Sequence, residues 1–142
     1  MTSALEWHDL LGIPWKLHGT SSAGMDCSTV AEEVWRRLGH DPPASSPFRA
    51  DTSAGHCDEM ATYLGQMEER FERIGSERGS ARRVGDIVLV ADDGGMGRHL
   101  YTRISERSDV FLTTSTKSGV IAVRGYVIKN VLGVYRIKEA AA

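Results

Sequence analysis

Two residues in this chain have the types and surroundings that covalent chemistry needs. The segment Gly24-Met25-Asp26-Cys27-Ser28 puts a cysteine where an amphipathic helix begins. A thiol in a first helical turn feels the partial positive charge of the unpaired backbone N–H groups, which lowers its pKa and favours the nucleophilic thiolate. The same N–H groups can hold a developing oxyanion. The alternative is a buried structural cysteine. A thiolate nucleophile also requires an imidazole to take its proton and return it to the leaving group. His99 opens the strand-like run Leu100 to Ile104, just after the glycine-rich turn Asp92-Asp93-Gly94-Gly95-Met96-Gly97. A histidine at a strand end can face a helix N-terminus across a core, so His99 is the expected base, with His18 as the alternative.

Other chemistry is poorly supported. His56-Cys57-Asp58-Glu59 contains metal-ligating types, but one His-Cys pair without a second spaced pair is a weak zinc signature. No metal and no other cofactor are expected. Gly94-Gly95-Met96-Gly97 lacks the strand-to-helix switch and the Lys-Ser/Thr of a phosphate loop. His8 and His40 read as surface residues, and Trp7 and Trp35 as core.

The elements that must position Cys27 and His99 are legible in outline. From Cys27 onward, Val30, Val34 and Leu38 form an i, i+4, i+8 stripe flanked by Ala31 and Trp35, with Glu32, Glu33, Arg36 and Arg37 opposite. Asp26 is the expected N-cap and Gly39 the stop. Ser3-Ala4-Leu5-Glu6 reads as a capping box for an earlier helix, with Trp7, Leu10 and Leu11 on one face and Gly12 closing it. Ile13 to Gly24 reads as an irregular loop, and Asp41 to Thr52 as a Pro/Ser/Ala-rich connection. Met60, Leu64, Met67, Phe71 and Ile74 predict a second amphipathic helix with a solvated outer face. Ser76 to Arg83 is polar and expected to be a mobile loop. The last third changes period: Ile87–Val90, Leu100–Ile104, Val110–Thr114, Val120–Val123 and Val131–Ile137 are strand-like runs at hairpin distances. Helices first and antiparallel strands second is an α+β arrangement.

At 142 residues the chain is expected to be a single domain, 1–142, with a real core. An apolar fraction of 41% and a charged fraction of 25% are ordinary for a globular protein. A net charge of -2 gives no reason to expect nucleic acid or an anionic membrane as partner. The two cysteines, Cys27 and Cys57, are too few for a disulfide framework. No stretch approaches the roughly 20 apolar residues that span a bilayer, so no membrane insertion is expected. Met1 to Trp7 has no basic segment and no apolar run of signal-peptide length, so synthesis in the cytoplasm without a signal peptide is expected.

Taken in order, several short blocks resemble the NlpC-type cell-wall peptidases, a papain-like family that includes versions carried by phage tails. They are Gly12-Ile13-Pro14-Trp15, His18-Gly19-Thr20, Asp26-Cys27-Ser28, Val34-Trp35-Arg36-Arg37-Leu38-Gly39, Gly85-Asp86-Ile87-Val88-Leu89, His99, Gly119-Val120 and Leu132-Gly133-Val134-Tyr135-Arg136. The resemblance implies a papain-like α+β fold with N-terminal helices packed on a C-terminal antiparallel sheet. It also implies Cys27 as nucleophile and His99 as base. The family's third polar residue, usually histidine, falls at or near Thr113; a threonine there holds no charge, which is a departure. Trp15, His18, Asp26 and Ser28 match the substrate side of the cleft, and the Asp26 carboxylate matches the cap of the nucleophile helix. The implied substrate is a peptidoglycan stem peptide, cut by an endopeptidase rather than an amidase. Phage-tail or particle proteins are the implied partners, and delivery to the cell wall by such a particle fits the lack of a signal. A structural tail-tip subunit with a peptidase-like fold is the alternative. A second departure is extra chain between Gly39 and Gly85, expected to be a helical insertion at about 56–76.

Overall fold

The computed structural model describes residues 5–16, 19–40, 70–91 and 98–138. The helix expected from the Val30/Val34/Leu38 stripe is present as α1 (Cys27–Arg37), and Gly39 ends it at a φ of +93°. It is the one α-helix among the described residues, where two more were expected. Two short strands, β1 (Thr20–Ser21) and β2 (Gly24–Met25), precede it as a hairpin inside the stretch that the sequence presents as irregular loop.

Six further strands follow: β3 (Phe71–Gly75), β4 (Ile87–Ala91), β5 (Arg98–Arg103), β6 (Val110–Ser115), β7 (Gly119–Arg124) and β8 (Val131–Ile137). They form one antiparallel sheet in the order β3-β8-β4-β5-β6-β7. β4 to β8 coincide with the five runs read from the sequence to within two residues at each end.

Three local expectations are corrected. The first concerns the proposed N-terminal helix, where the described residues make only a 3₁₀ turn, His8–Leu10. The chain is drawn out of helix by long-range pairing: the Gly12 N–H donates to the Val120 carbonyl, and the Val120 N–H to the Ile13 carbonyl, both at 2.9 Å. Leu10 is buried while Leu11 is exposed, so the presumed apolar face does not act as one. The second concerns the end of the Met60–Ile74 helix. Phe71 to Gly75 is strand, because Phe71 buries its ring against Trp35 and pairs with Ile137 of β8. That tertiary surface outweighs a local 3.6-residue spacing. Residues 56–69 of the expected insertion lie outside the described residues. The third concerns Ser76 to Arg83, which includes the 3₁₀ turn Arg78–Ser80 and the fully buried Ala81.

One face of the sheet is covered by α1. Cys27, Ala31 and Trp35 belong to a buried cluster with Ile87, Leu89 and Leu100, while Val30 and Val34 pack with Met25, Leu112 and Val120. The other face buries Val88, Val90, Phe111 and Val134 beneath Ala81 and Ile128.

The Gly85-Asp86 pair is a structural joint. The Gly85 carbonyl accepts from Trp35 Nε1 at 2.9 Å, and its N–H donates to the Arg103 carbonyl at 2.8 Å. Its φ of +95° strains any side chain placed there, and a Cβ would stand 2.8 Å from Leu38 Cδ1. The Asp86 carboxylate, 1% exposed, accepts from the N–H groups of Arg82 and Arg83 and from Nε and Nη2 of Arg136. The bond to Asp86 raises the Arg136 guanidinium above its ordinary pKa. One dipeptide thus ties α1, β4, β5 and β8 together.

Candidate active site

α1 begins in a fixed frame. The Asp26 carboxylate accepts from the N–H groups of Ser28 and Thr29, each at 3.0 Å, and from the Ser28 hydroxyl at 2.7 Å. Thr29 Oγ1 accepts from the Asp26 N–H at 2.9 Å, completing a reciprocal capping box. Asp26, Cys27 and Ser28 are all buried, and Cys27 is not in a disulfide. The cap takes two of the first-turn amides that the sequence offered as oxyanion donors, those of Ser28 and Thr29.

Two anchors set the direction of the helix over the sheet. At its C-terminal end, Trp35 and Leu38 meet Gly85, which pairs with Arg103 at the far end of β5. Ahead of its N-terminal end, the Met25 N–H donates to the Pro14 carbonyl, and Ile13 and Gly12 are laced to Val120 near the start of β7. The start of β7 pairs with the end of β6. The N-terminus of α1 therefore lies at the end of the sheet where β5 begins and β6 finishes. His99 and Thr113 occupy that end.

There the sheet is opened. β5 and β6 pair as a ladder at Thr102↔Leu112 and Arg103↔Phe111. Nearer the start of β5 the gap is bridged by a side chain: Thr113 Oγ1 is hydrogen-bonded to His99 Nε2 and donates to the Leu100 carbonyl at 2.8 Å. A threonine hydroxyl has one proton. With that proton on the Leu100 carbonyl, the hydroxyl can only accept from the imidazole, so Nε2 carries the hydrogen. In the neutral ring Nδ1 is then the basic nitrogen. Leu100 and Thr102, both buried, lie on the α1 side of β5, and His99 and Tyr101 alternate with them. The rings of His99 and Tyr101 meet edge to face with centroids 5.3 Å apart.

Trp15 is 40% exposed and forms an isolated bridge with Met25, one residue ahead of the Asp26 cap. This sets an accessible indole beside the start of α1. His18 and the His56-Cys57 pair lie outside the described residues. The contact of Tyr101 with His99 was not read from the sequence, although an i, i+2 relation on a strand is the signal that would have found it.

No family model matches the chain, and no curated protein matches its sequence. Its structure is similar to the crystal structure of an NlpC/P60 family protein from Bacillus cereus ATCC 10987, with a TM-score of 0.52 and 20% identity. The fold is NlpC/P60-like. The similarity covers 88% of this chain and 35% of the other, so this chain spans about a third of that protein's length. At this identity the NlpC/P60 likeness is one of architecture: a small α+β domain with a helix laid on an antiparallel sheet.

Proposed function

We propose that the chain is a cysteine hydrolase in which Cys27 is the nucleophile, His99 the base and Thr113 the residue that orients the base. The observation that carries this reading is the hydrogen bond between Thr113 and His99 at the end of the sheet where α1 begins. A histidine held by Nε2 and presenting Nδ1 as its basic atom is what a thiol at a helix start requires. His99 takes the thiol proton, and the Cys27 thiolate attacks a substrate carbonyl carbon. The tetrahedral intermediate collapses as the imidazolium protonates the departing amine, which leaves the acyl thioester on Cys27. Water, deprotonated by His99, then attacks the thioester and releases the acid and the thiol.

In this scheme Asp26 and Ser28 act on the helix start, Trp15 stands on the substrate side, and a substrate-binding role for His18 comes from the family resemblance alone. The substrate, a peptidoglycan stem peptide cut by endopeptidase action, comes from the family resemblance, as does association with a phage tail or related particle. Digestion of purified sacculi followed by mass analysis of the fragments tests it. Muropeptide release by the native chain, lost in Cys27→Ala and His99→Gln, is the expected result; release that survives Cys27→Ala removes the proposal.

A second reading is favoured by the burial of Cys27, which is 4% exposed. It is a structural tail-tip subunit that keeps the peptidase-like fold with little activity. Inert sacculi, a thiol that does not react with iodoacetamide near neutral pH, and particle assembly indifferent to Cys27→Ala would favour it.

A further inference from the structure

The end of the sheet that carries His99 is also the end where β4 finishes and β8 begins, since Val90 pairs with both His99 and Val131. One residue further in, Gly133 of β8, Leu89 of β4 and Leu100 of β5 stand side by side. Leu89 and Leu100 belong with Cys27 to one buried cluster, so this row faces α1. Gly133 brings no side chain to the row, and it lies two strand spacings, about 10 Å, from Leu100. Its place on that face is taken by an arginine from the next strand.

Phe71 of β3 faces α1 against Trp35, and Arg73, two residues on, faces the same way. Arg73 pairs with Tyr135, but its guanidinium runs along the sheet to lie over Gly133, two residues closer to the end that carries His99. A Cβ on Gly133 would stand 3.2 Å from Arg73 Nη1 and 3.1 Å from Tyr135 Cε1, so glycine is what lets both side chains come down onto the strand. Arg73 Nη2 donates to the Leu132 carbonyl at 3.1 Å, which ties the group in place through one of the five N–H donors of a guanidinium. Arg73 is nevertheless exposed. A cationic fork is thus held on the α1 face, level with the row that Cys27 packs near, and open to solvent.

We propose that Arg73 is a specificity residue that takes a carboxylate of the peptide whose carbonyl lies at Cys27. A guanidinium matches a carboxylate with two parallel N–H···O bonds, a geometry that an ammonium or a neutral amide does not reproduce. The separation of about 10 Å across β8, β4 and β5 corresponds to about three extended residues. The substrate class that follows is an acidic peptide, with a free carboxylate about three residues to the β3 side of the bond that is cut. The proposal rests on the catalytic reading above for the place of that bond, but recognition of the carboxylate is measurable without turnover.

The test is titration calorimetry of soluble muropeptides, released from purified sacculi by a muramidase, into the full chain carrying Cys27→Ala so that nothing is cut. They are compared with the same muropeptides after carbodiimide and ammonia have turned their carboxylates into carboxamides. The expected result is binding of the carboxylate form about tenfold tighter than of the carboxamide form. In Arg73→Gln that preference should vanish while affinity for the carboxamide form stays unchanged. Arg73→Lys, a point charge without the fork, should keep only part of it. Should the glutamine variant not fold, the lysine variant carries the test, and an undiminished preference there overturns the proposal. No preference before mutation, or one that survives Arg73→Gln, overturns it too. So does an equal loss for both forms, which would make Arg73 a tie between β3 and β8 and nothing more. Failure of the catalytic reading leaves these affinities in place and has a separate signature, sacculus digestion that survives Cys27→Ala.

Discussion

Replacing Thr113 with valine keeps the shape of the side chain and removes one hydroxyl, which makes it the sharpest probe of the site. Two interactions disappear: the bond from Thr113 to the Leu100 carbonyl at 2.8 Å and the one that fixes His99 Nε2. The first leaves a buried carbonyl without that partner, costing about 1–2 kcal/mol of stability, read as a lower urea midpoint. The second matters to the thiolate–imidazolium pair. A hydrogen bond to a charged group contributes about 1.5–3 kcal/mol and a neutral one about 1. Losing the difference, about 0.5–2 kcal/mol, lowers the ion-pair population by roughly two- to thirtyfold. The assay is alkylation of Cys27 by iodoacetamide as a function of pH, followed by mass spectrometry in a Cys57→Ser background so that one thiol is counted. Thr113→Val should be alkylated roughly two- to thirtyfold more slowly below the ordinary thiol pKa of about 8.5, converging with the native rate above it. Thr113→Ser, which restores the hydroxyl, should recover most of the rate. Equal alkylation profiles for the valine variant and the native chain, with the lower urea midpoint present, would show that the hydroxyl supports the strand and not the base.

Three further outcomes follow from the same contacts. Thr102 is fully buried and its hydroxyl has no hydrogen-bond partner among the described residues, so Thr102→Val should stabilise by about 1 kcal/mol, seen as a rise of about 3 °C in Tm by calorimetry. Gly85→Ala forces a side chain onto a φ of +95° and against Leu38, and should cost about 1–3 kcal/mol in urea unfolding. Arg136→Met strips two of four hydrogen bonds from the buried Asp86 carboxylate; because the Arg136 side chain is 28% exposed, a loss of about 2–3 kcal/mol is expected, below that of a fully buried pair. A loss below about 1 kcal/mol for Arg136→Met would show that water replaces the guanidinium without difficulty.

The amphipathic helix α1 and its signals were legible because every part of them is local. A carboxylate one residue before the stripe, apolar positions at helical spacing and a glycine at the end need no knowledge of distant chain. The five strands β4 to β8 were legible for the same reason, each being a short apolar or β-branched run bounded by turn residues. Gly85 and Asp86 could be picked out as part of a family-like block, but their work as a joint to Trp35, Arg103 and Arg136 could not be foreseen, because partners up to 50 residues away define it.

Tertiary structure alone decided the rest. Phe71 and Ile74 fit a helix by spacing, yet β8 offers a pairing edge and Trp35 an apolar wall, and those make Phe71–Gly75 a strand. Leu10 and Gly12 fit a helix end, yet Val120 takes the Gly12 amide and ends any helix there. The chain's own residues determined that a thiol would open a helix and a histidine would open a strand. That these stand at one end of one sheet, with β5 and β6 parted and Thr113 bridging to His99, depended on where α1 crosses and in what order strands pair. Pairing between distant segments leaves no period in the sequence, because its energy lies in surfaces that exist only after the chain has folded.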